Sequence, residues 1–326
     1  MTSPLIETAS SSYSRWAEIE ARGASAIYDD WATGIAQDPE ILALITSLPR
    51  NKWQPNLVFA GARFAGAPLG PASEFIPWLK ENWGAVRHVI LTRSTQTNEA
   101  GRCAVLLPAL SQLEGPLALI EAGASAGLCL YPDRYSYRYE AADGTAVLHP
   151  QTGPSRVVLP CSIDEASIPS TLPDVVWRAG VDINPINPTD PDQIAWLETL
   201  VWPEHDERRH RLRTASNIAA EDPPHLIAGD LIDQIPRLIE EAPRGSHIVV
   251  FHSSVLVYLE PERRQEFSDL MMSMPDITWI SNEGADVLPS IRTQVTTQID
   301  GRTILAVNGK VLALVGPHGQ SFSALP

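Results

Sequence analysis

The run Leu117-Ala-Leu-Ile-Glu-Ala-Gly-Ala-Ser-Ala-Gly127 constrains the fold of this chain more than any other stretch. A short apolar segment closes on an acidic residue, and two glycines four positions apart follow at once. This is how an α/β crossover begins: the strand ends, Gly123 turns the backbone tightly, and Gly127 lets the next helix pack close or leaves room for a ligand. Glu121, at the strand's carboxyl end, then sits beside the crevice where such sheets bind ligands.

The 326 residues are 44% hydrophobic and 19% charged, which suits a large soluble domain, alone or with an appendage. A net charge of −15 repels polyanions, so neither a nucleic acid nor a membrane surface is expected as a partner. The basic run Glu207-Arg-Arg-His-Arg-Leu-Arg213 reads as a solvated helix face. Cys103, Cys129 and Cys161 form no CxxC or Cys/His cluster, so no disulfide framework and no metal site are expected. The N-terminal residues lack a basic region followed by an apolar core, and no apolar run approaches the roughly 20 residues of a membrane span. These features point to a cytoplasmic protein with a small-molecule substrate, and they leave the oligomeric state open.

Residues 1–115 read as a helical domain. Trp16, Ile19, Ile27, Tyr28, Trp31 and Ile35 recur at roughly helical spacing across 10–36. Asp38-Pro39 supplies an N-cap and a first-turn proline for the next helix. Further helices are predicted over Pro55–Phe64, Ser73–Trp83 and Arg102–Leu113. Residues 116–326 alternate strands and helices. Strands are predicted at 117–122, 175–182, 225–228, 247–252 and 277–281, with helices near 190–200, 206–220, 230–241 and 262–272. A hairpin over 303–315 turns at Asn308-Gly309. Short antiparallel strands around Asp143-Gly144 form a small β insertion at about 133–160. The pattern predicts one mostly parallel, helix-covered sheet with a C-terminal antiparallel hairpin.

Four strand ends carry polar residues: Glu121 with its glycines, Asp182 in Gly180-Val-Asp-Ile-Asn-Pro185, Asp230 after Gly229, and His252 with Tyr258 six positions on. In a parallel sheet these ends line one crevice. Residues 117–315 resemble the class I S-adenosylmethionine-dependent methyltransferase fold, a Rossmann-like sheet. The whole chain resembles a bacterial family of uncharacterised proteins with such a core, through Gln96-Thr-Asn-Glu-Ala-Gly-Arg102, Glu121–Leu128, Asp182-Ile-Asn-Pro185 and Trp196–Pro203. The resemblance implies methylation of a small molecule at oxygen or nitrogen, with S-adenosylmethionine held by Glu121, Gly123, Ser125, Gly127, Asp182 and Asp230. It implies His252 and Tyr258 as catalytic candidates, and Gln96, Asn98, Glu99 and Arg102 as a substrate loop. Trp196 and Trp202 either frame an acceptor pocket or, as their spacing favours, pack in a core.

Two departures shape these expectations. Ser125 stands where the motif has glycine, and Asp182 lies far beyond the roughly 20 residues usual for the acidic partner. An insertion at 133–160 accounts for the distance; otherwise Glu140 would be the ribose ligand. Gly123-Ala-Ser-Ala-Gly127 also fits the G-x-S-x-G nucleophile elbow, which needs a strand before it and a helix after it. In that alternative Ser125 attacks an acyl carbon, with Asp230 or Asp286 as acid and His252 or His318 as base. A non-catalytic binding protein that keeps the fold is the third reading.

Overall fold

The computed structural model describes residues 4–325. Met1 to Ser3, which open the stretch read as lacking a leader, lie outside the described residues. The chain divides into two compact units. One contains the residues up to Thr97 together with Pro191–His210; the other contains Asn98–Asp190 and the residues from Arg211 onward.

The first unit includes α1 (Pro4–Trp16), α2 (Ala26–Gln37), α3 (Pro39–Thr46), α4 (Pro55–Phe64), α5 (Ala72–Glu81) and α6 (Trp83–Thr92). Then α7 (Cys103–Leu110) belongs to the second unit, α8 (Pro191–Leu200) to the first, and α9 (Asp206–Glu221) has residues in both. Asp38 caps α3 as its sequence requires, one carboxylate oxygen accepting from both Glu40 N and Ile41 N at 3.0 Å. Between α1 and α2 a π-helical turn covers Ala17–Ala21. The unit's core is aromatic: Trp31 stacks on Phe75 with centroids 3.6 Å apart, and Phe59 and Tyr28 close around them. Trp196 packs edge-on against Phe64, its indole N–H donating to Ser94 O, while Trp202 donates to Asn56. Trp196 is a core residue of this unit, and Trp202 is half-buried against Trp16 and Tyr28.

The division falls at 97/98 where the sequence suggested 115. Every residue of α7 is buried, and a helix that is apolar all round needs packing on all sides. It finds this in the sheet unit, where Tyr139 donates to Ala104 O at 2.8 Å.

The second unit is built on one 11-stranded sheet. Its strands are β1 (Leu117–Ala122), β2 (Ser136–Ala141), β3 (Gly144–Leu148), β4 (Val158–Ile163), β5 (Val175–Asp182), β6 (His225–Ala228), β7 (His247–Ser253), β8 (Ile277–Glu283), β9 (Thr303–Val307), β10 (Lys310–Val315) and β11 (Ser321–Ala324). They lie in the order β3-β2-β4-β11-β10-β9-β8-β7-β1-β5-β6. The five strands β6, β5, β1, β7 and β8 are parallel to one another, and the chain's winding reverses direction at β1. The hairpin β9–β10 follows antiparallel on β8, as predicted from Asn308-Gly309.

The insertion of 133–160 differs from expectation. β2 pairs antiparallel with β3 but parallel with β4, and β4 pairs with β11, a strand the sequence reading missed. The insertion therefore extends the far edge of the main sheet. Its tyrosines explain why: Tyr135, Tyr137 and Tyr139 alternate onto the covered face, and each hydroxyl reaches a backbone carbonyl. One sheet face packs under α10 (Leu231–Glu241), α11 (Pro261–Met272) and the short α12 (Pro289–Arg292), with Ile120, Val250 and Trp279 against Ile235, Phe267 and Ile291.

Gly319 marks the tightest backbone approach in this unit. Its φ is +85°, and a Cβ there would stand 1.9 Å from Gly101 O. Gly319→Ala meets both a backbone clash and a left-handed conformation that side chains disfavour. It is expected to cost about 2 kcal/mol or more in urea unfolding; an unchanged midpoint would contradict this packing.

Candidate functional site

The polar strand ends meet at the carboxyl edge of β1 and β5, at the point where the winding reverses. Gly123 has φ +71°, and a Cβ on it would strike the Val255 side chain at 2.4 Å, so both space and conformation require glycine. Ser125 follows with φ +49°, a strained value for a non-glycine residue. Asp182 holds it: one carboxylate oxygen accepts from Ser125 N at 2.8 Å and the other from Asn184 N at 2.8 Å. Asn98 grips the same turn, its amide donating to Ser125 Oγ at 2.7 Å and accepting from Ala126 N at 2.8 Å. Gly123 N and Ala124 N donate to Val181 O, and Gly127 N to Ala124 O. All five successive N–H groups from Gly123 to Gly127 thus donate within the protein.

Among the substrate-loop candidates, Asn98, Glu99 and Arg102 join this site. Glu99 is buried and accepts from Gly101 N and from Arg211 Nε at 3.1 Å. Arg102, also buried, donates to Ser253 O at 2.8 Å and Pro317 O at 3.0 Å. Gln96 is half-buried and lies in the helical unit. Glu121 is buried, and its Oε2 has no hydrogen-bond partner among the described residues. Burial pushes its carboxyl well above the usual 4.5, with Cys129 and Asp182 raising it further and the Arg102 guanidinium opposing them.

Other candidates sit elsewhere or are otherwise occupied. Asp230 caps α10 through Ile232 N at 2.8 Å and pairs with Arg263 at 2.9 Å. Glu140 is exposed on β2, with β4, β11, β10, β9, β8 and β7 between it and β1. That arrangement leaves Asp182 as the acidic residue beside the glycine turn. Tyr258 is 82% exposed on a 3₁₀ turn beyond β7, and Ile183 is 82% exposed beside Asp182.

His252 is corrected by the register. It pairs with Ala122 on β1, whereas Glu121 pairs with Phe251, so His252 and Glu121 leave opposite faces of the sheet. The imidazole is fully buried between Phe267 and Trp279, and its Nδ1 lies 2.7 Å from Glu283 Oε1. Glu283 Oε1 also accepts from Val255 N and Leu256 N, bracing the turn that carries Val255 against Gly123. Glu283 was not singled out in the sequence. Its only local signal was an acidic residue before Gly284 at a strand end, the same pattern as Glu121.

The nucleophile-elbow geometry is incomplete. Ser125 has the strained backbone, but β1 leads into a 3₁₀ turn over Leu128–Leu130 and not into a helix. Its hydroxyl accepts from Asn98, and Asp286 is exposed beyond β8. His318 lies 3.9 Å from Glu99. Among the described residues, no three His, Cys, Asp or Glu side chains gather to hold a metal ion, and no helix is long and apolar enough to cross a membrane.

Residues 65–323 match a family described as uncharacterized protein conserved in bacteria (DUF2332). The chain belongs to this family. The resemblance to an uncharacterised bacterial family read from Gln96–Arg102 and Glu121–Leu128 is thereby upheld. No curated protein and no solved structure matches the chain.

Glu121 gives that edge a measurable signature. The folded protein binds the Glu121 proton more tightly than the unfolded chain, so this group's contribution is full below about pH 4.5 and is lost as pH rises through the raised value. Glu121→Gln removes the dependence. Wild-type stability relative to this variant is expected to fall as pH rises from about 4.5 toward neutrality. Urea titrations across that range that show a constant difference would contradict the assignment.

Proposed function

We propose that the protein binds S-adenosylmethionine at the carboxyl ends of β1 and β5 and methylates an oxygen or nitrogen of a small-molecule acceptor. The observation that carries this reading is the 2.8 Å hydrogen bond from Ser125 N to Asp182, which joins the acidic end of β5 to the glycine turn of β1. Open α/β sheets bind ligands outside the strands' carboxyl ends where the strand order reverses, and β1 occupies that place.

The donor inventory narrows the ligand class. A pyrophosphate needs free N–H groups at a helix N-terminus. Here the turn's five N–H groups are engaged, and a 3₁₀ turn replaces the helix. What the edge offers is acceptors, which suits a cationic nucleoside without phosphates. Each Asp182 carboxylate oxygen already takes one backbone donor and keeps lone-pair capacity for ribose hydroxyls. Glu121 Oε2, buried and without a hydrogen-bond partner among the described residues, offers an acceptor to a ligand that brings a donor.

S-adenosylmethionine supplies an activated methyl group on sulfur for in-line displacement. The protein's own work is positioning and exclusion of water. Asn98 and Asp182 hold the Ser125 turn, and Glu283 holds the turn carrying Val255. Ile183 and Tyr258, both exposed at the same edge, present the surface on which an acceptor would settle. His252 has no part in this reading, because it is buried on the other face.

Isothermal titration with S-adenosylmethionine and S-adenosylhomocysteine tests the proposal. Binding is expected for the wild type and for Ser125→Ala. Asp182→Ala, checked as folded by its thermal transition without ligand, should bind at least about tenfold more weakly, equivalent to about 1.4 kcal/mol. Absence of binding by folded wild-type protein would overturn the reading.

A further inference from the structure

The sheet ends in two edge strands, β3 and β6, and the sequence treats them differently. β6 directly follows Pro223-Pro224, and its His225 stands 3.2 Å from Glu241. Proline and charge are the usual means by which an edge is closed to further pairing. β3 carries neither. Gly144-Thr-Ala-Val-Leu148 is uncharged and free of proline, and its ladder with β2 runs without a bulge. Thr145 and Val147 are exposed, Val147 at 53%.

The hairpin register fixes which backbone groups face outward. Ala141 and Gly144 close a two-residue turn and so form a hydrogen-bonded pair, as do Tyr139 with Ala146 and Tyr137 with Leu148. Thr145 and Val147 fall in the alternate pairs, and their N–H and C=O groups point away from β2. Among the described residues, no hydrogen bond reaches those outward groups. Outward groups two residues apart on one strand are self-complementary about a two-fold axis through Ala146. In that register Thr145 of each copy pairs with Val147 of the other, and each of their outward N–H groups meets a carbonyl. The exposed Asp143 of one copy then lies beside the exposed His149 of the other, at both ends of the pairing. Registers centred on Thr145 or Val147 lack this match of carboxylate and imidazole.

We propose that β3 is a self-association edge, where two copies of the chain pair antiparallel through Gly144–Leu148 to form one continuous sheet. The second copy is the occupant because the strand complements itself in backbone groups, in its β-branched Thr145 and Val147, and in Asp143 with His149. Seven strands separate β3 from β1, so the inference is independent of the proposed cofactor site. Each copy carries a net charge of −15, and salt screening therefore favours the pairing.

Sedimentation velocity of the full chain tests this. The dimer is expected to grow as the chain approaches about 100 μM and as salt is added. A chain that stays monomeric across that range would overturn the proposal. Val147→Pro removes an outward N–H and leaves the ladder with β2 its bonds, so the folded variant should dimerise at least about tenfold more weakly. Val147→Lys puts a charge on the edge without altering the backbone and is expected to act in the same direction. A dimer unchanged in both folded variants would contradict the proposal. Disulfide trapping reads the register. Position 146 faces itself in a non-hydrogen-bonded pair, where a Cα separation of about 4.5 Å admits a disulfide. The native cysteines are all buried. Oxidised glutathione is expected to give a covalent dimer with Ala146→Cys and none with Leu148→Cys. Any other pattern would contradict the two-fold register.

Discussion

The hold of Asp182 and Asn98 on the Ser125 turn is the constraint on which the carboxyl edge depends. Ser125 occupies a left-handed conformation that a side chain ordinarily avoids, and it persists because its environment over-determines it. Its N–H, carbonyl and hydroxyl are each engaged, by Asp182, Ile186 N and Asn98. These contacts join three segments remote in sequence: the loop before α7, the end of β1 and the end of β5. The geometry of the edge is thus a consequence of hydrogen-bond accounting in a buried turn, where each unmade bond would cost about 1–3 kcal/mol.

The same accounting separates anchoring from recognition. Arg102 and Arg178 are buried cations that donate to backbone carbonyls, and Arg178 also donates to Asp133. Arg178 reaches Leu130 O and Asp133 and lies over the Tyr131 ring, which ties the start of the insertion to β5. Glu99 is committed to Gly101 and Arg211. Against that background Glu121 stands out, its Oε2 buried at a strand end with no hydrogen-bond partner among the described residues. A site in which cations and amides are engaged while acceptors remain is biased toward a ligand that brings donors and positive charge.

Much of this architecture was legible in the sequence because it rests on local signals. The apolar run ending at Glu121 specified β1, Asp38-Pro39 specified the start of α3, and Asn308-Gly309 specified the β9–β10 hairpin. What escaped had non-local causes. α6 was missed because Asn82 supplies no side-chain cap, and a 3₁₀ turn stands after Gly127 where a helix was expected. β11 is short and pairs with its neighbour β10 as well as with the distant β4. Asp182 was recognisable from its Val-Asp-Ile-Asn-Pro setting. His252 was misplaced because β7 is apolar on both faces, and only the register with Ala122 reveals which face it takes. Arg211 carried no signal apart from its long-range partner, and Glu283 only its place before Gly284 at a strand end.

The central claim is that the ends of β1 and β5 form a nucleoside site organised around Asp182 and the Ser125 turn. A crystal structure of the protein with S-adenosylhomocysteine tests it most directly. The account predicts the ribose against the Asp182 carboxylate, with the Gly123–Gly127 turn unchanged in its internal hydrogen bonds. Ligand bound away from Asp182, or a glycine turn that had surrendered its N–H groups to the ligand, would contradict it.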